Sequence, residues 1–213
     1  MTQKTTMRTL LFAIAACGLA LAASAQSTGI PAPSTNYGKG LLGQTYVGLG
    51  YGYTDLHDSS VNLQALRFEY NQPLNTGFDL NLGYTGTRTS LFADNRNTWQ
   101  SFDANAVAFL PDRTWGRPYL SVGGGWTWVK NAGVKDNSFL YQLETGVEVQ
   151  ATTALSVTPY VKYLETPSLH IDNRWRYGVK ANYWLTSQWG VSAGVGLDNK
   201  VNTTYALGVN FRF

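Results

Sequence analysis

From Thr45 to the last residue, apolar or aromatic side chains recur at every second position for about ten residues, break at a turn, and begin again. A strand sends successive side chains to opposite faces, so this period of two builds a two-faced sheet and leaves no room for an amphipathic helix. In one segment Val47, Leu49, Tyr51 and Tyr53 oppose Gly48, Gly50 and Gly52; in another Phe78, Leu80, Leu82 and Tyr84 oppose Asp79, Asn81 and Gly83. Tyr141, Leu143, Val147 and Val149 oppose Gln142, Glu144, Gly146 and Glu148, and Trp175, Tyr177, Val179, Ala181 and Tyr183 oppose Arg176, Gly178, Lys180 and Asn182.

The alternation predicts strands near 45–54, 62–71, 77–87, 98–110, 117–129, 138–151, 154–164, 173–185, 188–197 and 203–213. A soluble sandwich would also alternate, so the position of the charges decides between the two. Only 14% of residues are charged, against about 25% in ordinary soluble domains, and those in the strands share the polar face. The apolar face is free of charge apart from Arg88 at a strand tip. Aromatic residues gather at both strand ends: Tyr51, Tyr53, Tyr84, Trp126, Trp128, Tyr163, Trp175 and Tyr205 at one, Tyr70, Phe78, Tyr183, Trp189, Phe211 and Phe213 at the other. Amphipathic rings favour the two interfaces of a bilayer, and this reads as an all-β, antiparallel up-and-down transmembrane barrel of ten strands. Eight strands is the alternative if two segments are miscounted, since Pro159 interrupts the seventh and Ala104, Ala106 and Ala108 mark the fourth only weakly.

The final segment, Tyr205, Leu207, Val209, Phe211 and Phe213, resembles the closing strand of small bacterial outer-membrane β-barrel proteins, which ends in Phe. The resemblance covers roughly residues 45–213 and points to that porin-like class and to no single member. It implies a place in the outer membrane, contact with its lipid and lipopolysaccharide, and recognition by the barrel-assembly machinery during insertion.

The N-terminus agrees. Lys4 and Arg8 precede an apolar run from Leu10 to Leu21, and Ala23-Ser24-Ala25 supplies the small residues of a cleavage site. The run is short of the roughly 20 apolar residues that span a bilayer. Residues 1–25 are therefore expected to be a removed signal peptide, with a lipobox-like Ile14-Ala15-Ala16-Cys17 as the weaker alternative. Removal takes Cys17, the only cysteine, and lowers the formal net charge of +3 by two. A mature chain so nearly neutral has no nucleic-acid footprint, and neither a disulfide nor a cofactor is expected. Residues 26–44, with Pro31, Pro33 and several Gly, are expected to be a flexible lead-in hanging in the periplasm.

Five basic and five acidic residues face the expected lumen: Arg67, Lys162, Arg176, Lys180 and Arg212 against Glu69, Asp79, Asp103, Glu144 and Glu148. Paired, hydrogen-bonded networks are the expected arrangement, because an unpaired charge away from water is costly. Gly48, Gly50, Gly52, Gly190, Gly194, Gly196 and Gly208 would line the first, ninth and tenth strands, which adjoin on closure. Such a strip either leaves a water path or receives large inward side chains such as Tyr46, Tyr119 and Tyr160.

Chemistry-bearing motifs are sparse. His170 and Asp172 on an external loop are similar in position to the His/Asp pair of ten-stranded omptin proteases, but that family needs an aspartate pair on a facing loop, where Asp94 stands alone. His57, Ser59, Asp55 and Asp58 have the residue types of a hydrolytic triad, yet they crowd one short loop, and a triad is defined by geometry. Gly123-Gly124-Gly125 lacks the Lys and helix of a phosphate loop, and no metal-ligand spacing is visible. The external loops 55–61, 88–97, 130–137, 165–172 and 198–202 are short, which disfavours a surface interaction module. The function expected is a structural or narrow-pore component of the outer membrane, with a loop hydrolase as the alternative.

Overall fold

The computed structural model describes residues 40–57, 62–89, 97–110, 116–131, 134–169 and 175–213. The expected signal peptide, its cleavage after Ala25, and Asp58, Ser59, Asp94, His170 and Asp172 lie outside these residues. Ten antiparallel strands follow in chain order: β1 Tyr46–Asp55, β2 Leu63–Asn75, β3 Phe78–Thr89, β4 Thr98–Phe109, β5 Arg117–Asn131, β6 Val134–Gln150, β7 Leu155–Glu165, β8 Trp175–Trp184, β9 Trp189–Asp198 and β10 Thr203–Arg212. Each pairs with its sequence neighbours and β1 pairs with β10, so the sheet closes on itself and leaves no edge strand.

The stagger is large. From Gly52 one row of register partners climbs through Ala65, Thr87 and Trp99 to Val129 on β5. The other way it runs through Ala206, Gly194, Lys180 and Thr158 and, carried across β6, returns to β5 at Arg117, twelve residues from Val129. Such a shear tilts the strands and sets the barrel's width. Pro159 sits where the β6–β7 ladder is interrupted: pairing stops at Gly146↔Tyr160 and resumes at Val149↔Val157 in the same register, as expected of a residue that cannot donate to a ladder, while Pro159 stays in register with Val179 on β8.

The outer face is apolar and exposed. Leu207 is 65% and Leu49 61% exposed, and Leu66, Val122, Leu143, Val161, Val179 and Val195 are exposed as well. Rings border this belt, with Trp126 edge-on to Phe139 and Tyr163 edge-on to Trp175 toward the upper, loop-bearing end, and Trp189 against Phe211 toward the lower end. The buried groups are largely polar, among them Asn71, Asp79, Asp103, Asn105, Gln142, Glu148 and Asn210. This inverts the soluble pattern.

Three expectations need correction. β5 and β6 run on to Asn131 and Val134, so the loop expected at 130–137 is mostly strand, and register partners Lys130 and Lys135 take outward positions above the belt. Asp55 and Glu165 likewise end their strands on the outer face, so Arg88 is not the only outward charge, although all five sit at upper strand ends. Finally, Gly40–Gln44 do not hang free: they bond to the inner wall at the lower mouth, because the barrel presents buried polar groups there that this short stretch of backbone satisfies.

Candidate functional site: the lumen

Closure turns the polar faces of all ten strands inward, and they enclose a cavity of about 520 Å³. Arg67, Glu69, Asp79, Asp103, Glu144, Glu148, Lys162, Arg176 and Lys180 line it. Arg212 stands apart at the lower mouth, with its guanidinium 4.4 Å over the Trp184 ring and hydrogen bonds to the Ser187 carbonyl at 2.8 Å and the Gln44 amide oxygen at 3.4 Å.

Six of the lining charges form two networks. On β2–β4 the Arg67 guanidinium donates to both Asp103 oxygens at 3.1 and 3.3 Å, to Glu69 at 3.1 Å and to Thr85 at 3.1 Å. Tyr46 closes it from β1 by donating to Glu69, while Asn105 and Gln142 donate to Asp103 at 2.7 and 3.1 Å. A carboxylate as buried as Asp103 is stable only with such partners. On β5–β8, Glu144 Oε1 accepts from Tyr119 and from Lys180 at 2.8 Å each, and Lys162 stands 3.9 Å from Oε2. Lys180 also sits 4.4 Å over the Tyr160 ring.

A third cluster holds the strap, Gly40–Gln44. The Leu41 N–H donates to Glu148 at 2.6 Å and the Gly43 N–H to Asp79 at 2.8 Å. Arg117 ion-pairs with Glu148 and donates to the Leu42 carbonyl at 2.8 Å; Asn71 bridges the Gln44 carbonyl and Asp79, each at 2.9 Å. Leu42 packs on Val107, Phe109 and Tyr119. The even balance of ten charges therefore does not translate into five pairs: among the described residues Asp79 takes amide donors and no ion pair, and Glu148 takes Arg117, a residue the sequence reading passed over.

The glycines divide. A Cβ on Gly178 or Gly196 would come within 2.9 Å of the Tyr160 hydroxyl, one on Gly146 within 2.8 Å of the Tyr119 ring, and one on Gly190 within 2.9 Å of Trp184. These positions receive large side chains. At Gly50 and Gly52 a Cβ would meet nothing nearer than 3.5 Å, and their row partners Gly208, Ala206, Gly194 and Ser192 carry no side chain larger than a hydroxymethyl group. So β9, β10 and β1 form a smooth wall beside the cavity at Gly50 and Gly52, while Gly190 and Gly196 of the same strip receive large side chains.

No protein-family model matches the chain, and no curated protein matches it either. Among solved structures the chain is similar to the NanC porin, with a TM-score of 0.48, 10% identity, and coverage of 78% of this chain and 100% of that one. It is similar also to the KdgM porin in complex with disordered oligogalacturonate, with a TM-score of 0.43, 14% identity, and 78% and 99% coverage. The translocator domain of the autotransporter NalP from Neisseria meningitidis gives a TM-score of 0.48 at 10% identity over 92% and 97% of the two chains. At these values the site stands on its own geometry.

No helix among the described residues is long and apolar enough to cross a membrane, which says nothing of strands. Among the described residues no group of His, Cys, Asp and Glu could hold a metal ion. Of the candidate hydrolytic residues only His57 and Asp55 are described; the His57 N–H donates to Asn202 at 3.0 Å, and nothing described brings a nucleophile to its ring.

Proposed function

We propose that this chain is an integral protein of the bacterial outer membrane whose lumen is a narrow aqueous passage for small solutes, closed at its lower mouth by the Gly40–Gln44 strap. The carrying observation is the inversion of polarity. A closed barrel that exposes Leu49, Leu66, Val122, Val179 and Leu207 while burying Asp79, Asp103 and Glu148 would aggregate in water, whereas hydrocarbon solvates the first group and leaves the second to the lumen. On this reading lipid and lipopolysaccharide surround the belt, and the barrel-assembly machinery receives β10.

Conduction rests on the smooth wall and the cavity beside it. Ten strands leave more interior than the eight that side chains fill, and the space in front of Gly50 and Gly52 is what the networks leave over. The test is planar-bilayer recording with refolded protein. Discrete low-conductance steps are expected; a silent membrane at high protein loading, for both the intact chain and one with its strap released, removes the passage and leaves a structural barrel.

A further inference from the structure

Lys162 and Arg176 are register partners on β7 and β8, and both line the cavity. Like charges set directly opposite on neighbouring strands destabilise a sheet, and a nearby carboxylate usually relieves them. Here the two carboxylates in register with the pair are engaged elsewhere. Glu144, the register partner of Lys162 on β6, spends Oε1 on Lys180 and Tyr119 and offers only Oε2, at 3.9 Å. Asp198, the partner of Arg176 on β9, turns its carboxylate into its own loop: Oδ1 accepts the Lys200 and Asn202 N–H groups at 2.9 and 3.0 Å, and Oδ2 accepts the Asn202 side chain at 2.9 Å. The Arg176 side chain has no hydrogen bond or ion pair among the described residues.

The cavity in front of the pair leaves room for an occupant. Gly178 and Gly196 carry no side chains, and the Tyr160 hydroxyl and, at Gly196, the Arg176 stem lie over them, so a third donor sits beside Arg176. The wall beyond Gly196 continues into Gly194, Ala206 and Gly52. A planar guanidinium fork beside a point-charge ammonium matches the oxygens of a carboxylate or phosphate, and the cavity admits a small organic molecule.

We propose that Lys162 and Arg176 form an oxyanion station in the lumen, where a small solute carrying a carboxylate or phosphate is held during passage. It rests on the reading of the lumen as a solute passage. The anion supplies the countercharge that Arg176 lacks among the described residues and that Glu144 gives Lys162 only at 3.9 Å, and Tyr160 donates to it from the side.

The test is titration calorimetry of the refolded full-length barrel in detergent at low salt, with succinate and, separately, inorganic phosphate as probes. Saturable one-site binding of at least one anion is expected, weakened about tenfold or more by Arg176→Gln and by Lys162→Gln and weakened again by added salt. Arg176→Lys keeps the charge, loses the fork, and is expected to fall between; Lys135→Gln, on the outer face, is expected to leave binding unchanged. Heat-dependent electrophoretic mobility shows that each variant has folded. The probe bound more tightly by the intact protein names the oxyanion. No saturable binding of either anion, or affinities that both Gln variants leave intact, overturns the station. Calorimetry needs no transport, so a silent bilayer with saturable binding removes only the passage, and a conducting barrel that ignores both anions removes only the station.

Discussion

Arg67 on β2 grips Asp103 on β4 across the intervening strand, through bonds of 3.1 and 3.3 Å that pass over Gly83 of β3. A Cβ on Gly83 would come within 2.4 Å of the guanidinium Nη2 and 2.8 Å of the Asp103 carboxylate. The backbone of β3 gives way to the pair because it carries no side chain there, so the ion pair and the glycine form one unit.

Removing Arg67 leaves Asp103, which is 3% exposed, with only amide donors. Breaking one side of a buried pair costs about 3–5 kcal/mol, and the partly exposed guanidinium puts Arg67→Gln at the low end, about 3 kcal/mol. Gly83→Ala should cost about 1–3 kcal/mol by the strain of overpacking. Urea unfolding in lipid vesicles measures both. The coupling shows in the double variant Arg67→Gln/Gly83→Ala: its loss should be smaller than the summed single losses, since the added methyl then meets no guanidinium. Additive losses would mean that Gly83 serves another purpose.

The strap makes a second prediction. Glu148 holds the Leu41 N–H and Arg117, and Arg117 holds the Leu42 carbonyl. Arg117→Ala therefore loosens the strap at two points, and Glu148→Gln keeps one weaker acceptor. Bilayer recordings should show longer or larger open events for Arg117→Ala than for the parent, with Glu148→Gln between them. A cysteine pair locking Leu42 to Phe109 should suppress the openings until reduced. If all three behave as the parent does, the strap is no barrier to flow.

The barrel was legible because period two and the charge-free face are properties of each segment alone. Gly40–Gln44 were not, since their anchors are backbone N–H and C=O groups, which look alike in every residue, and they meet Glu148 and Asp79 only after closure. The sharing of partners inside was hidden for a related reason. Alternation assigns Glu144, Lys162 and Lys180 to one face, but which cation reaches which oxygen depends on register and stagger. Lys130 and Lys135 read as loop because alternation fades near the β5–β6 turn, while the ladder to Val122 and Leu143 carries the pairing beyond the membrane belt. Arg117 escaped notice as the first residue of its strand.

The belt is tested with charge. Leu207 and Val122 lie between the two aromatic girdles on the outer face, and both are exposed. An arginine near the bilayer midplane costs about 2–4 kcal/mol, falling to about 0–1 near an interface. Leu207→Arg and Val122→Arg should each lose about 2–4 kcal/mol in vesicle unfolding, whereas Tyr53→Arg, at girdle height, should lose about 1 kcal/mol or less beyond the ring it deletes. An arginine accepted equally well at all three heights is incompatible with a hydrocarbon belt.

The last prediction separates glycines that leave space from glycines already covered. A methyl at Gly52 meets only the Ala65 Cβ at 3.6 Å and a carbonyl at 3.9 Å, while one at Gly178 lies 2.3 Å from the Val195 carbonyl and 2.9 Å from the Tyr160 hydroxyl. Backbone cannot yield as a side-chain tip can, so Gly178→Ala should destabilise by about 1–3 kcal/mol. Gly52→Ala should be nearly neutral, because its backbone pairs normally with Ala206 and Ala65 and a strand gains from replacing glycine. Gly52→Phe extends the contrast to function: its ring would project into the cavity beside the smooth wall. The variant should fold with heat-dependent mobility like the parent's and pass less current, with the loss growing from Ala through Leu to Phe. A Phe at this position that leaves conductance unchanged would show that solutes do not travel along the wall of β9, β10 and β1.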